Sequence, residues 1–238
     1  MNTTKTKDRP VIRLAPVAAG EFSQWLGDTE RALEDGGAGA DVPCGSCTSC
    51  CHSRMFIHIR PHEKETLKAI PRPLLFQVPG LPKGHVLMGY NDKGSCPMLV
   101  DNKCTIYAVR PQTCRDYDCR IFAATGVPVD AALQPEIAEQ IKAWRFEYRD
   151  EASHSAHESL IRTARFLRER SDLFPRGSLP GNPVQFAVLV VRVHRLFDAA
   201  GGEGAGERMS DAEVAKNVLA RLNAPSEQAG PRGRDAAR

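Results

Sequence analysis

Two cysteine-rich stretches decide how this chain can fold: residues 44–51 read CGSCTSCC, and residues 96–115 read CPMLVDNKCTIYAVRPQTCR. Together with Cys119 they contain all eight cysteines of the 238-residue chain. Cysteines in such a pattern form either disulfides or metal ligands. The N-terminal residues lack an apolar run long enough for a signal peptide, so we expect a reducing, cytoplasmic setting in which structural disulfides are rare. The pattern therefore predicts thiolate coordination of a metal.

The spacing of the first stretch is compatible with two kinds of metal site. Cys44, Cys47 and Cys50 repeat a Cys-x2-Cys step, which turns the chain tightly enough for successive sulfurs to reach one metal. Three such thiolates are typical of the loop that holds three irons of a four-iron cluster, whose fourth ligand is a remote cysteine often followed by proline, as Cys96 is. Eight thiolates would equally fill two tetrahedral zinc sites, each with one Cys-x2-Cys step and two thiolates from the second stretch. The residues leave both cofactors open, an iron-sulfur cluster or Zn.

The first stretch is not expected to complete a site alone. Cys50 and Cys51 are too close in sequence for both side chains to point easily at one metal. At least one further ligand should therefore come from Cys96, Cys104 or Cys114. We expect the two stretches to face each other across the metal, with sulfurs of the two stretches about 4 to 7 Å apart.

Helical spacing of apolar residues dominates the chain outside the cysteine window. It predicts a helix over residues 21–35, and either two helices or one long helix through residues 137–148 and 160–167. Residues 186–197 contain a β-branched run, but the length of the apolar segment favours a buried helix over a strand. Ser210 and Glu213 form a capping box that predicts the start of a last helix.

Short strands are predicted only within the cysteine window. Alternating apolar residues predict strands at residues 55–59 and 85–90. Four prolines within residues 71–84 predict a surface loop. Asp101 and Asn102 are typical of a tight turn, which would make the second cysteine stretch a small hairpin.

These elements predict an α+β fold with a mainly helical body around a small irregular cysteine-rich metal core that contains a short β-hairpin. One domain would span residues 14–224, with the cysteine-cluster region at 44–119 and a helical C-terminal part at 134–224. Residues 1–13 form a basic tail and residues 225–238 a second polar tail. Both tails have little apolar surface to bury, so we expect them to be mobile.

Charge and hydropathy exclude some classes of partner. The net charge is +3, but the two tails together carry +4 and the chain between them −1, and the aromatic content is only 6%. A basic face with aromatic stacking platforms is therefore not visible, which argues against a nucleic-acid partner. No apolar run approaches the roughly 18 residues of a membrane span, which argues against a membrane. The remaining expectation is an unknown protein or redox partner.

The two cysteine stretches resemble the CxxCxxCC cysteine-cluster family, the YkgJ-type zinc- or iron-chelating domains. The agreement covers residues 44–115 and includes the pairs Cys96-Pro97, Arg110-Pro111 and Cys114-Arg115. The sequence departs from the family pattern at Met98, where an aromatic residue is usual. The resemblance implies a metal or iron-sulfur cluster held by Cys44, Cys47, Cys50, Cys51, Cys96, Cys104 and Cys114, and Cys119 completes the set of candidate metal ligands.

Several residues beside the cysteines have a predicted role. Arg115 is a candidate cofactor-binding residue, because a cation beside an anionic thiolate cluster compensates its charge. Ile106 and Tyr107 are expected to pack under the cluster and keep its wall dry. His52 directly follows the first stretch, and a surface role is favoured over a ligand. No catalytic residue is assigned.

The resemblance leaves two classes of function. The first is a metal-binding protein with an electron-transfer or metal-handling role. The second is an enzyme that uses the cluster, either a redox enzyme or one similar to the flagellin lysine N-methylases. The sequence lacks a glycine-rich cofactor turn after a clear strand, and residues 201–206 are interpreted as a flexible link. The first class is therefore favoured.

Overall fold

The computed structural model describes residues 14–35, 42–44, 46–132, 134–197 and 209–223. Both predicted tails and the glycine-rich residues 201–206 lie outside the described residues. The described chain is mainly helical with small sheets, so the predicted α+β class is confirmed.

The helices lie on both sides of the cysteine window. Short 3₁₀ turns cover Ser49–His52, Arg72–Leu74, Tyr107–Val109 and Ser171–Leu173. The α-helices are α1 (Phe22–Asp35), α2 (Lys64–Ala69), α3 (Gln112–Asp116), α4 (Arg120–Thr125), α5 (Pro135–Ala143), α6 (Glu151–Glu169), α7 (Pro183–Val193) and α8 (Asp211–Asn223).

The strands form three small sheets. Strand β1 pairs in parallel with β7, β4 pairs antiparallel with both β2 and β3, and β5 pairs antiparallel with β6. Their bounds are β1 (Val17–Glu21), β2 (Ile57–Ile59), β3 (Leu75–Phe76), β4 (Val86–Met88), β5 (Leu99–Val100), β6 (Lys103–Cys104) and β7 (Trp144–Glu147).

The predicted hairpin in the second cysteine stretch is confirmed. Leu99 pairs with Cys104 and Val100 with Lys103. The turn residues Asp101 and Asn102 have φ values of 48° and 59°. Two positive φ values in succession belong to the type I′ turn, whose twist matches the twist of the flanking strands. The hairpin therefore places Cys104 opposite Leu99.

Two predictions about secondary structure are wrong. The helix predicted over residues 137–148 ends at Ala143, and Trp144 begins strand β7 because its backbone is extended and pairs with Val17 of β1. The proline-rich loop at residues 71–84 contains the two-residue strand β3, which forms one edge of the sheet. Proline is tolerated beside such an edge strand because no ladder hydrogen bond is lost.

The helices over residues 186–197 and after Ser210 are confirmed in type. Asn182 caps α7, because its side-chain oxygen accepts hydrogen bonds from the backbone N–H groups of Val184 and Gln185 at 2.9 and 3.2 Å. The predicted capping box forms, since Glu213 accepts the backbone N–H of Ser210 at 2.7 Å and the Ser210 hydroxyl accepts that of Glu213 at 3.4 Å.

The described residues form two hydrophobic cores. The larger, hereafter the main core, buries apolar side chains of α1, α4, α6, α7 and α8 together with Trp144 of β7. The smaller, hereafter the small core, consists of Ile59, Ile70, Met88, Met98 and Ile106. Met98, the residue that departs from the family pattern, is buried there. Within the described residues no helix is both long enough and apolar enough to cross a membrane.

Candidate metal centre

The first cysteine stretch is a succession of tight backbone turns. The N–H of Cys47 donates to the carbonyl of Cys44 at 2.8 Å, and the N–H of Cys51 donates to the carbonyl of Thr48 at 2.8 Å. The second turn begins the 3₁₀ segment Ser49–His52.

The first stretch lies directly against the second. The N–H of Cys96 donates to the carbonyl of Cys51 at 2.7 Å. The hydroxyl of Thr48 donates to the side-chain oxygen of Asn102, in the hairpin turn, at 2.9 Å. His52 hydrogen-bonds through Nδ1 to the hydroxyl of Ser95 at 2.9 Å. The two stretches therefore form one continuous structure.

The thiols of both stretches, with Cys119, are held mostly half-buried and none is in a disulfide. Cys104 lies on β6 and Cys114 on the short helix α3, while Cys119 is the N-cap of α4. Cys119 is the most buried, with 5% of its surface exposed.

Electrostatic interactions divide the eight thiols into two neighbouring sets. Burial raises the pKa of Cys119 to about 12 against the hydrogen bond from Trp144, and the charges of Asp118, Cys44 and Cys47 add to the rise. Burial also raises the pKa of Cys50 strongly, and the largest electrostatic contribution comes from Cys119, followed by Cys44 and Cys47. We call Cys44, Cys47, Cys50 and Cys119 the first thiol group.

The remaining four thiols influence one another in the same way. Burial raises the pKa of Cys51 to about 12, and the leading electrostatic contributions come from Cys96 and Cys104. Burial raises the pKa of Cys114 to about 12, with contributions from Cys96, Cys51 and Cys104. We call Cys51, Cys96, Cys104 and Cys114 the second thiol group. Cys51 also interacts with Cys47 and Cys44, so the two groups adjoin.

The thiols influence one another electrostatically, but their sulfurs do not surround a common metal position. Among the described residues, no group of three or more Cys, His, Asp or Glu side chains could hold a metal ion as positioned. Side-chain rotation would be needed to bring four sulfurs to metal-ligand distances, which are about 2.3 Å for zinc. The chemistry of the donor set fits a thiophilic metal, because each group supplies four thiols and a thiol must lose its proton to bind.

The first thiol group borders the main core through Cys119. The indole N–H of Trp144 donates to the sulfur of Cys119 across 3.1 Å. On either side of Cys119, Asp118 and Arg120 form an ion pair at 2.8 Å that is largely buried. Asp118 also accepts the indole N–H of Trp25 at 2.9 Å. These contacts fix the backbone that carries Cys119.

Sequence reasoning gave no role to Trp25, Asp118 or Trp144. Trp25 and Asp118 are 93 residues apart, and Trp144 lies 25 residues beyond Cys119. The spacing of residues in the sequence therefore gives no indication of the Trp25–Asp118 or the Trp144–Cys119 hydrogen bond. The only local signal was the pair of opposite charges on either side of Cys119.

The cations around the thiols are Arg110 and Arg120, whose charges lower the pKa of Cys44 against the dominant effect of burial. Arg110 also lies over the ring of Tyr107, 4.0 Å from its centroid. Arg115, the predicted charge-compensating residue, is exposed and donates two hydrogen bonds to the side-chain oxygen of Gln112, at 3.1 and 2.7 Å.

The two residues predicted to pack under the cluster behave differently. Ile106 is buried in the small core, against which Cys96 and Cys104 pack. The prediction is wrong for Tyr107, which is 62% exposed. Tyr107 begins a 3₁₀ turn, which rotates its side chain away from the core side of Ile106.

These observations define a helix-rich α+β protein with a thiol-lined centre for a thiophilic metal. Residues 43–150 match the family model CxxCxxCC, described as a "putative zinc- or iron-chelating domain". This part of the chain is therefore similar to that domain, as the two cysteine stretches predicted. The matched range includes all eight cysteines and β7, and β1, α1 and helices α6 to α8 lie outside it. No curated protein and no solved structure matches the chain.

Proposed function

We propose that this chain chelates a thiophilic metal at two adjacent centres, each with four cysteine thiolates. The proposal is supported by the contact between the two stretches, in which the N–H of Cys96 donates to the carbonyl of Cys51 at 2.7 Å, and by the electrostatic influence of the thiols on one another, which is largest within two sets of four. Cys44, Cys47, Cys50 and Cys119 would hold the first centre, and Cys51, Cys96, Cys104 and Cys114 the second.

The environment of the thiols explains why a cation belongs there. Burial raises the pKa of Cys44 to about 11 and that of Cys114 to about 12, so without a compensating charge these thiols keep their protons at neutral pH. A bound metal cation supplies that charge and converts the thiols to thiolates. The raised pKa values thus indicate that these thiols need a bound metal in order to ionise at neutral pH.

Four protein ligands for each metal centre also limit what the centres can do. A zinc ion with four protein thiolates has no open coordination position, in contrast to a catalytic zinc site. An iron-sulfur cluster with four cysteine ligands is likewise complete and exchanges electrons. The proposed function is therefore metal handling or fold stabilisation with zinc, or electron transfer with an iron-sulfur cluster.

We also propose a reducing, cytoplasmic setting and, for electron transfer, a protein redox partner. The support is chemical: none of the eight cysteines is in a disulfide, and thiolate ligands persist where thiols stay reduced.

The metal itself is identified by anaerobic purification of the full chain, followed by metal and sulfide analysis and a visible spectrum. A colourless protein with two zinc ions per chain supports the zinc form. A brown protein with iron and acid-labile sulfide supports the iron-sulfur form. Less than one metal ion per chain, with the chain folded and its thiols reduced, would refute the proposal.

Variants of single cysteines test the division into two groups. Cys119→Ser should remove the metal of the first centre and leave that of the second, and Cys114→Ser should do the reverse. His52→Gln is the matched control, because His52 lies beside the thiols but hydrogen-bonds to Ser95, and it should retain both centres. If either cysteine variant loses both metals while remaining folded, the eight thiols form one shared site and the division is wrong.

A further inference from the structure

The indole of Trp144 is the side chain that contacts the sulfur of the first thiol group most specifically. Its N–H donates to Sγ of Cys119 at 3.1 Å, and the two residues are only 4% and 5% exposed. Solvent therefore does not compete for this hydrogen bond. A buried indole N–H needs an acceptor, and here the sulfur is that acceptor.

Trp144 is held in place from the opposite side. It is the first residue of β7 and pairs with Val17 of β1, and its ring is part of the main core. Because its backbone is paired in a strand and its ring is closely packed, the Trp144 side chain has little freedom to move if the Cys119 sulfur moves. The position of the indole N–H thus determines where the Cys119 sulfur rests.

The backbone of Cys119 is also fixed from both sides. Asp118 accepts the indole N–H of Trp25 from α1, and the guanidinium of Arg120 donates to the carbonyl of Ala19 in β1 at 3.0 Å. Trp25 and Ala19 lie outside the matched CxxCxxCC range. The N-terminal strand and helix therefore brace the one ligand that the first stretch does not supply.

The second thiol group has different surroundings. The backbone at Cys96 is held within the second stretch, since the N–H of Leu99 donates to the carbonyl of Cys96 at 3.0 Å. Cys96 and Cys104 pack against the small core, away from β1 and β7. The two groups thus have equal numbers of thiols in unequal surroundings.

We infer that Trp144 is a positioning residue that holds Cys119 as the fourth ligand of the first centre and makes this centre slower to release its metal than the second. The inference rests on the proposed function. A hydrogen bond to a metal-bound thiolate fixes its orientation and draws electron density from the sulfur, and such outer contacts typically tune affinity by 10- to 100-fold.

The test uses the full chain loaded with two equivalents of cobalt(II), whose thiolate charge-transfer bands report on the sulfur ligands. Trp144→Phe keeps an aromatic ring and loses the N–H. We expect about one eighth of the charge-transfer intensity, the share of one thiolate among eight, to shift to longer wavelength, because the sulfur of Cys119 becomes the better electron donor. We also expect one of the two cobalt equivalents to transfer to EDTA about tenfold faster, the effect of one charge-assisted hydrogen bond.

Tyr148→Phe is the control, because it removes an exposed hydrogen bond to His157 just beyond β7 and does not involve a thiol. Its spectrum and its metal release should equal those of the unmodified chain. Two bound cobalt ions with an unchanged spectrum and release rate in Trp144→Phe would overturn the inference and leave the proposed function standing. A chain that binds no cobalt would overturn the proposed function instead.

A measurement on the unmodified chain covers the case in which Trp144→Phe does not fold. In a ¹⁵N-labelled chain loaded with ¹¹³Cd, the indole proton of Trp144 should shift on metal binding and show coupling to ¹¹³Cd through the hydrogen bond. The indole of Trp25 donates to a carboxylate and should show no such coupling. If cadmium binds and the Trp144 indole signal does not change, the inference is wrong.

Discussion

Cys50 and Cys51 show how one peptide bond separates the two proposed centres. The leading thiol neighbour of Cys50 is Cys119, whereas the leading neighbours of Cys51 are Cys96 and Cys104. Adjacent residues in a tight turn diverge, so each can serve a different group. The Cys-Cys pair therefore joins two thiol groups by the shortest possible connection.

Cys47 belongs to the first thiol group, and its replacement tests whether that group also stabilises the fold. Cys47→Ser should lower the metal content by one centre and lower the melting temperature, because structural metal binding contributes on the order of 10 kcal/mol to small metal domains. Metal analysis and thermal unfolding at one protein concentration measure both effects. Full metal content with an unchanged melting temperature would show that Cys47 is not a ligand.

Glu21 gives a prediction about pH. Although burial acts to raise it, hydrogen bonds from Ser23, Gln24 and Ser153 lower the pKa of Glu21 from 4.5 to about 2. A carboxylate with a lowered pKa stabilises the folded state above its unfolded value and loses that contribution as pH falls. Glu21→Gln should thus be less stable than the unmodified chain at pH 7, and the difference should shrink between about pH 4.5 and pH 2.

Urea unfolding of both chains at pH 7, 4.5 and 3 measures that difference. Glu65→Gln is the control, because Glu65 is exposed and pairs only with Lys68 at 2.7 Å, and such pairs contribute little. A difference between Glu21→Gln and the unmodified chain that stays constant down to pH 3 would show that the hydrogen bonds do not favour the ionised carboxylate.

At the scale of elements, the β5–β6 hairpin holds the second stretch in register. Asn102 has a φ of 59°, which β-branched residues avoid. Asn102→Val should destabilise the chain by about 1–3 kcal/mol and weaken metal binding at the second thiol group, since Cys104 follows two residues later. Lys103→Val is the matched control: it lies on β6, where valine is favoured.

Thermal unfolding of the two variants measures the change in stability, and metal titration measures the change in metal affinity. The prediction fails if Asn102→Val and Lys103→Val have the same stability and the same metal affinity.

Local patterns predicted elements well, and pairing between distant segments was not predictable. The Asp101–Asn102 turn and the Ser210–Glu213 capping box depend on a few neighbouring residues, so the sequence contained their full signal. Trp144 continued the helical spacing of Ile137 and Ile141, yet it begins a strand because β1, more than 100 residues earlier, supplies the partner. Tertiary context overrides local spacing in such a segment.

The same distinction applies to the candidate site. The spacing of the cysteines identified the thiols themselves, because Cys-x2-Cys is a local requirement of metal geometry. Their proposed division into two groups depends on where α3 and α4 place Cys114 and Cys119, which the spacing of the cysteines does not indicate. The position of Trp144 beside Cys119 depends on the pairing of β1 with β7, so it could not be predicted from the sequence either.

At the scale of the whole molecule, the two thiol groups adjoin cores of unequal size. The first group borders the main core through Cys119, and the second packs against the small core. The small core contains five buried apolar side chains, and burying one such side chain contributes only about 1.5–3 kcal/mol. If the second group holds a metal as proposed, we therefore expect the part of the chain around it to depend on that metal far more than the helical part does.

Removal of the metals should consequently loosen the molecule unevenly. After EDTA treatment under reducing conditions, amide hydrogen exchange should accelerate strongly in β2, β4 and the β5–β6 hairpin, since opening them exposes little apolar surface. Helices α6 and α7 should keep most of their protection, because Leu160, Leu167 and Val190 are fully buried in the main core. Zinc added back in excess should restore protection in the strands. Uniform loss of protection in strands and helices would show a single cooperative unit whose main core also requires the metal, and unchanged protection everywhere would show that the small core is stable by itself.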